Sequence, residues 1–294
     1  FIYIYKVSSN KERNSQIIMI SLDQSIPIGS IRGIDIKVHS SCLLLLVIQI
    51  LSSIRFFMMV PIYFLFLITL YGPILFLTII LHELGHALTT QKLGGTVSEI
   101  ILWPLGGFAI CGPTAAEGVV GDLMVAAAGP LMHFPQMFTW VVLYAIFAQG
   151  SFEYFQPEVY LDLITTFSGF MSVLCAMAFY MNLFIFAFNF FIPAYPLDGG
   201  RCMAATLILL GISIRHTAFV TSITAMFVAL MLLIMGMISF FAEGNPNGMF
   251  TILVAIYILV AGRNLYIMTN EGRVKEHPLF NRACYDDRQV MIEN

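Results

Sequence analysis

Apolar residues run through this chain in long blocks, at 40–59, 62–91, 119–148, 163–192, 216–241 and 248–267, with polar residues gathered between them. Crossing the hydrocarbon of a bilayer takes about 20 mostly apolar residues at 1.5 Å of helical rise each. Every block is long enough, so the pattern predicts about six transmembrane helices. Between the second and third blocks the character changes. Thr96 to Trp103 (TVSEIILW) reads as a strand, Pro104-Leu105-Gly106-Gly107 supplies turn residues, and Phe108 to Cys111 (FAIC) returns as a second strand. Ile26 to His39, rich in β-branched residues and punctuated by Gly29 and Gly33, predicts further short strands ahead of the first span. The expected fold is an all-α polytopic membrane protein with short β-strands and a hairpin. It divides into an N-terminal interfacial segment (1–39), a transmembrane domain (40–267) and a polar C-terminal tail (268–294).

Composition sharpens this picture. Of 294 residues 59% are hydrophobic and 11% charged, against roughly a quarter charged in a soluble domain, so the lipid bilayer is the expected solvent and partner. Lys6, Lys11, Arg13, Arg32 and Lys37 precede the first span and Arg273, Lys275, Arg282 and Arg288 follow the last. The 149–162 loop carries Glu153, Glu158 and Asp162 and no basic residue. The positive-inside rule then places both termini on the cytoplasmic side or its equivalent. A net charge of −3 gives no reason to expect a nucleic-acid partner. Five cysteines, odd in number and without a CxxC pair, indicate neither a disulfide framework nor a cysteine metal site.

Chemistry enters near the end of the second block, at His82-Glu83-Leu84-Gly85-His86. In this HExxH string the two histidines are one helical turn apart, so both imidazoles can meet one zinc ion while Glu83 stands beside the water that it activates. By composition alone such a match is expected about 0.004 times in a chain like this. Ionisable groups inside a span are costly and point to function. A catalytic zinc site usually has three protein ligands and one open position. Candidates for the third are His39, His133, His216, His277, Glu117, Asp122, Asp162 and Asp198. Asp198 stands in NFFIPAYPLDGGR (Asn189 to Arg201), where Pro193 and Pro196 break a helix and Gly199-Gly200 allow a tight turn. An ion pair with Arg201 is the rival reading of that carboxylate.

HELGH at the end of an apolar block, PLGG downstream, AAAGP at 126–130 and YPLDGGR in a later span resemble the site-2 protease family of intramembrane metalloproteases. The resemblance covers roughly residues 26–210. It implies that His82, His86 and Asp198 bind Zn2+, that Glu83 is the general base, and that Asn189 polarises the scissile carbonyl or anchors the kink. Membrane proteins or peptides would be the substrates. Asn189 lies four residues before Pro193, one more than in the family arrangement, and His133 stands where the family commonly has an asparagine. No PDZ insertion is expected. The hairpin at 96–111 is either an edge for strand addition by a substrate or a plug over the site, and Gly106, Gly107, Gly112 and Gly129 are candidates to line a water route.

Other readings make different demands. A prenyl-protein-processing protease would take a downstream glutamate as third ligand, and none lies in a matching helical motif. A transporter would repeat its polar positions across several spans, whereas here they concentrate in two places. A catalytically idle pseudoprotease that binds client membrane proteins should have lost a ligand or the base. The predicted topology is testable by single-cysteine labelling in a background free of native cysteines. A cysteine at Phe155 should react from the side opposite to one at Tyr285; labelling of both from one side overturns the six-span arrangement.

Overall fold

The computed structural model describes residues 25–281 except 43–46, 48–49, 51–53, 55–56, 58–59, 104–105, 112–117 and 246. Strands β1 (Ser25–Ile31) and β2 (Ile34–His39) form an antiparallel hairpin. It turns at Arg32 and Gly33, both at positive φ, as a two-residue hairpin loop requires. Strands β3 (Val97–Trp103) and β4 (Gly106–Cys111) form the second hairpin expected from the sequence. The two join into one four-stranded sheet, ordered β1-β2-β3-β4, because β2 pairs in parallel with β3. A Lys37–Glu99 ion pair crosses that seam.

Helix α1 (Pro61–Thr69) runs through a π-helical turn, Leu70–Ile74, into α2 (Leu75–Lys92). Pro73 sits in that turn; it has no N–H to donate and its ring crowds the preceding turn, and the wider π-turn absorbs both effects. At its far end α2 closes with bonds from Gly95 N–H to Thr90 O and Gly94 N–H to Gln91 O, a Schellman stop that uses Gly94 at positive φ. The apolar side of the sheet (Ile34, Val97, Ile100, Leu102) packs on Leu84 and Ala87 of α2. The sheet is thereby fixed directly over the HExxH helix.

The block expected as one span at 119–148 contains two helices, α3 (Gly118–Leu131) and α4 (His133–Phe147), interrupted at Met132. Pro135 cannot donate to the Leu131 carbonyl, and the ladder breaks there. Helix α5 (Phe167–Phe191) starts on Thr166, whose hydroxyl accepts from Gly169 N–H, and stops before Pro193. The twelve-residue α6 (Asp198–Leu209) follows. Then come α7 (Ile214–Met237) and α8 (Asn247–Asn270), which pack through glycines: a Cβ on Gly248 would lie 2.7 Å from the Gly236 carbonyl oxygen. Small residues let spanning helices approach this closely.

Among the described residues, five helical units are long and apolar enough to cross a membrane: Pro61–Lys92, Gly118–Phe147, Phe167–Phe191, Ile214–Ala242 and Gly248–Asn270. The first expected span, 40–59, lies largely outside the described residues. Large apolar side chains such as Phe138, Phe184, Phe227 and Leu230 are exposed on the helices, as a lipid-facing surface requires.

Within the stretch expected as a polar tail (268–294), the described residues after α8 include buried apolar side chains. Val274, Leu279 and Phe280 are buried in one cluster with Tyr195, Ala204, Ala205, Ile208 and Ala218. The His277 ring meets the Tyr195 ring edge-on, centroids 5.2 Å apart. Burial pushes the His277 imidazole down to about 4, and its Nδ1 accepts from Leu279 N–H at 3.2 Å. Val274 stands alone between Arg273 and Lys275 and Leu279-Phe280 form one short pair, too sparse for a periodic signal, and residues far off in sequence, from Val119 to Leu265, give them something to pack against. Phe280→Ala should destabilise the fold by about 3–5 kcal/mol, the usual cost of emptying a buried aromatic site. Thermal unfolding in detergent checks this; an unchanged midpoint contradicts the packing role.

Candidate metal centre

Helix α2 delivers His82 and His86 to one face, and both side chains are buried. Their Nε2 atoms lie 3.2 Å apart. Asp198, the first residue of α6, brings Oδ2 to 3.1 Å from His82 Nε2 and 3.2 Å from His86 Nε2. The other face of His86 settles what these atoms are. Its Nδ1 is 2.7 Å from the Val125 carbonyl oxygen, which can only accept, so Nδ1 carries a proton and in the neutral ring Nε2 presents a lone pair. A lone pair and a carboxylate oxygen at this separation repel unless a cation or proton lies between them.

The geometry fits a metal. Donor atoms about 3.2 Å apart form one face of a tetrahedron whose centre is about 2.0 Å from each corner, the length of a zinc bond to nitrogen or oxygen. Among the described residues, His82, His86 and Asp198 are the group of His, Cys, Asp or Glu able to hold a metal ion. Three protein donors leave a fourth direction open.

Asp198 is held from several sides. Asn189 Nδ2 donates to Oδ2 at 2.7 Å, and the Asp198 backbone N–H donates to Asn189 Oδ1 at 3.2 Å. Arg201 donates to the other oxygen, Oδ1, at 3.2 Å, and lies 3.6 Å from Asp122 of α3. Facing the histidines and pairing with Arg201 are therefore compatible, because the carboxylate gives one oxygen to each. Glycines let the chain come this close: Cβ atoms on Gly199 and Gly200 would stand 2.4 Å from the Ile192 carbonyl oxygen and 2.3 Å from the Tyr195 nitrogen.

Glu83 is buried, and its Oε1 has no hydrogen-bond partner among the described residues. Strand β4 passes directly over it: a Cβ on Gly107 would lie 2.6 Å from Glu83 Cγ. Gly129 of α3 abuts the His86 ring, where a Cβ would come 2.1 Å from Nε2. Of the glycines expected to line a water route, these two border the site and Gly112 lies outside the described residues.

The remaining candidates go elsewhere. His39 bonds Ser41, and His216 bonds Ser213 at the start of α7. Asp162 is exposed, His277 packs on Tyr195, Asp122 meets Arg201, and Glu117 lies outside the described residues. His133 approaches His82 from behind, its Nε2 3.1 Å from His82 Nδ1. Asn182 was not singled out from the sequence, yet it is fully buried and bonds His133 Nδ1 at 2.8 Å. Its signal was available: Asn182 and Asn189 are two turns apart on one face of an otherwise apolar helix.

Comparison with known proteins supplies the family. Residues 72–235 match Peptidase family M50. The chain belongs to that family. A zinc metalloprotease of Methanocaldococcus jannaschii is 33% identical to this M50 chain over 186 residues, 63% of this chain and 46% of the relative. The chain thus spans about half the length of that curated relative. The solved structure of a site-2 protease from Methanocaldococcus jannaschii superposes with a TM-score of 0.52 at 25% identity, covering 82% of this chain and 95% of that one. This M50 chain is a multi-pass integral membrane protein with that fold.

The contact at Gly129 yields a test. Gly129→Ala should push the His86 ring off the triangle and lower metal affinity by at least about tenfold, the lower end for displaced ligand support. Metal analysis of purified protein after dialysis against graded chelator measures it; undiminished loading contradicts the close approach.

Proposed function

We propose that this chain is an intramembrane zinc metalloprotease that hydrolyses peptide bonds of membrane-spanning substrates. The observation that carries the reading is the convergence of two imidazoles and a separate buried glutamate, all on a helix long and apolar enough to span the bilayer, with a buried carboxylate from the short helix α6. A solvated or purely structural cluster has no need of a buried Glu83, next in sequence to His82, whose Oε1 has no bonding partner among the described residues. His82, His86 and Asp198 would hold Zn2+. When bound, zinc supplies Lewis acidity, making water acidic enough to act as a nucleophile near neutral pH.

Glu83 is the general base in this scheme. It takes the proton of the attacking water as oxygen adds to the carbonyl carbon, then returns it to the departing amine nitrogen as the C–N bond breaks. Asn189 is a positioning residue in this scheme: its Nδ2 donates to Asp198 Oδ2 and lies 3.2 Å from His82 Nε2, and its Oδ1 accepts from the Asp198 backbone N–H. Of the two roles implied by the resemblance, this geometry supports the anchor.

Substrate presentation follows from the sheet. A transmembrane helix hides its peptide bonds in its own hydrogen-bond ladder and must be opened before water can attack. Strand β4 is an outer strand of the sheet, and Gly107 places its backbone beside Glu83. An unwound segment added along β4 would recover main-chain hydrogen bonds while lying next to the base.

Two variants test the proposal in a cleavage assay of purified protein with membrane-protein substrates, with and without a zinc chelator. Glu83→Gln should retain zinc and lose at least about 100-fold in turnover, the low end for a general base. Asp198→Asn should lose both zinc affinity and turnover. Normal turnover by the Glu83→Gln protein removes the assignment of the base. Zinc binding without cleavage of any substrate favours a client-binding pseudoprotease.

A further inference from the structure

Behind His82, away from the donor triangle, a line of buried polar side chains runs through α2, α4 and α5. Asn182 Nδ2 lies 2.9 Å from the Ala178 carbonyl oxygen and 3.4 Å from Thr78 Oγ1. Its Oδ1 lies 2.8 Å from His133 Nδ1, and His133 Nε2 lies 3.1 Å from His82 Nδ1. His133 and Asn182 are both fully buried and Thr78 nearly so.

The direction of every bond in this line follows from one fixed end. A backbone carbonyl only accepts, so the Asn182 amide nitrogen must face Ala178 and its oxygen must face His133. That oxygen also only accepts, so His133 carries its proton on Nδ1. An imidazole with one ring proton, placed there, has its lone pair on Nε2. His82 must then donate from Nδ1 and present its own lone pair at Nε2, toward Asp198 and His86.

We infer that Ala178, Asn182 and His133 form a hydrogen-bond relay that locks the ring orientation and tautomer of His82, making His133 a positioning residue for metal binding. The inference rests on the reading of His82 as a metal ligand. Histidine ligands hold their metal through one nitrogen while the other donates to a fixed acceptor, and loss of that acceptor weakens binding by about 10–100-fold. For His86 the acceptor is the Val125 carbonyl. For His82 it is a second imidazole, which needs a further acceptor behind it, and Asn182 supplies this.

The break between α3 and α4 makes the contact possible. His133 is the first residue of α4, and the chain redirected at Met132 turns its ring back toward α2. His133 also packs against the His82 ring with centroids 5.1 Å apart, so its position is set by packing as well as hydrogen bonding.

The test measures zinc affinity of the full chain in detergent by competition with a chromophoric chelator, together with the thermal midpoint of the metal-free protein. His133→Phe keeps the ring volume and removes the acceptor; its affinity should fall about 10–100-fold with little change in midpoint. In His133→Gln the carboxamide oxygen reaches the place of Nε2, and affinity should stay close to the parent's. In His133→Asn the oxygen reaches only the place of Nδ1, and affinity should fall as in the Phe variant. Parent-like affinity in the Phe variant, or equal affinities in the Gln and Asn variants, overturns the relay. The Gln and Asn pair decides the matter alone if the Phe variant does not fold. A parent protein that binds no zinc defeats the proposed function and the relay together; zinc binding and the expected variant pattern without proteolysis uphold the relay and defeat only the protease reading.

Discussion

The structure depends on holding a buried carboxylate next to two imidazole lone pairs in a place that water and lipid cannot neutralise. Asp198 is 0% exposed, and removing the partner of a buried charge typically costs about 3–5 kcal/mol. The chain meets this cost with Arg201 on one oxygen and Asn189 on the other, and Asp122 in turn lies beside Arg201. Each partner comes from a different part of the fold: Asn189 from the end of α5, Arg201 from the first turn of α6, Asp122 from α3. The helices are therefore tied together through the site as well as through their apolar faces.

That requirement explains where the chain is irregular. A continuous helix through 189–201 would satisfy its backbone internally but would carry Asp198 past the histidines. Pro193 and Pro196 end α5, and α6 restarts with Asp198 at its N-terminal turn, where a helix favours negative charge. Glycine appears where two backbones or a backbone and a ring must nearly touch: Gly85 against the Ala128 carbonyl, Gly129 against His86, and Gly107 against Glu83. The centre is assembled by close approach, and any side chain at these positions would occupy the space of a functional group.

The sheet has a related logic. Polar backbone near a membrane-buried site is tolerated only where protein or a wet cavity satisfies it. Strand β3 is bonded on both sides, by β2 and β4, and its apolar side chains cover α2. Among the described residues β4 is an outer strand of the sheet, and Gly107 sets it beside the base.

The one-dimensional pattern determined much of this protein. Block lengths specified the five spans seen among the described residues, because hydrocarbon thickness sets a minimum run of apolar residues. HExxH specified two imidazoles on one face, because helical periodicity brings residues four apart together. The local signals for both hairpins lay in turn residues. Tertiary structure decided the rest, since it depends on groups distant in sequence. The parallel pairing of β2 with β3 has no local signature. The division of Asp198 between the histidines and Arg201 appears only when α6 is docked. Val274, Leu279 and Phe280 fall in a stretch that reads as polar, because their apolar partners, among them Val119, Tyr195, Ala204, Ala218 and Leu265, lie in distant elements. His133 and Asn182, 49 residues apart, are unremarkable alone; a hydrogen bond has a direction only when both ends are in place, and the packing of α4 and α5 behind α2 put them there.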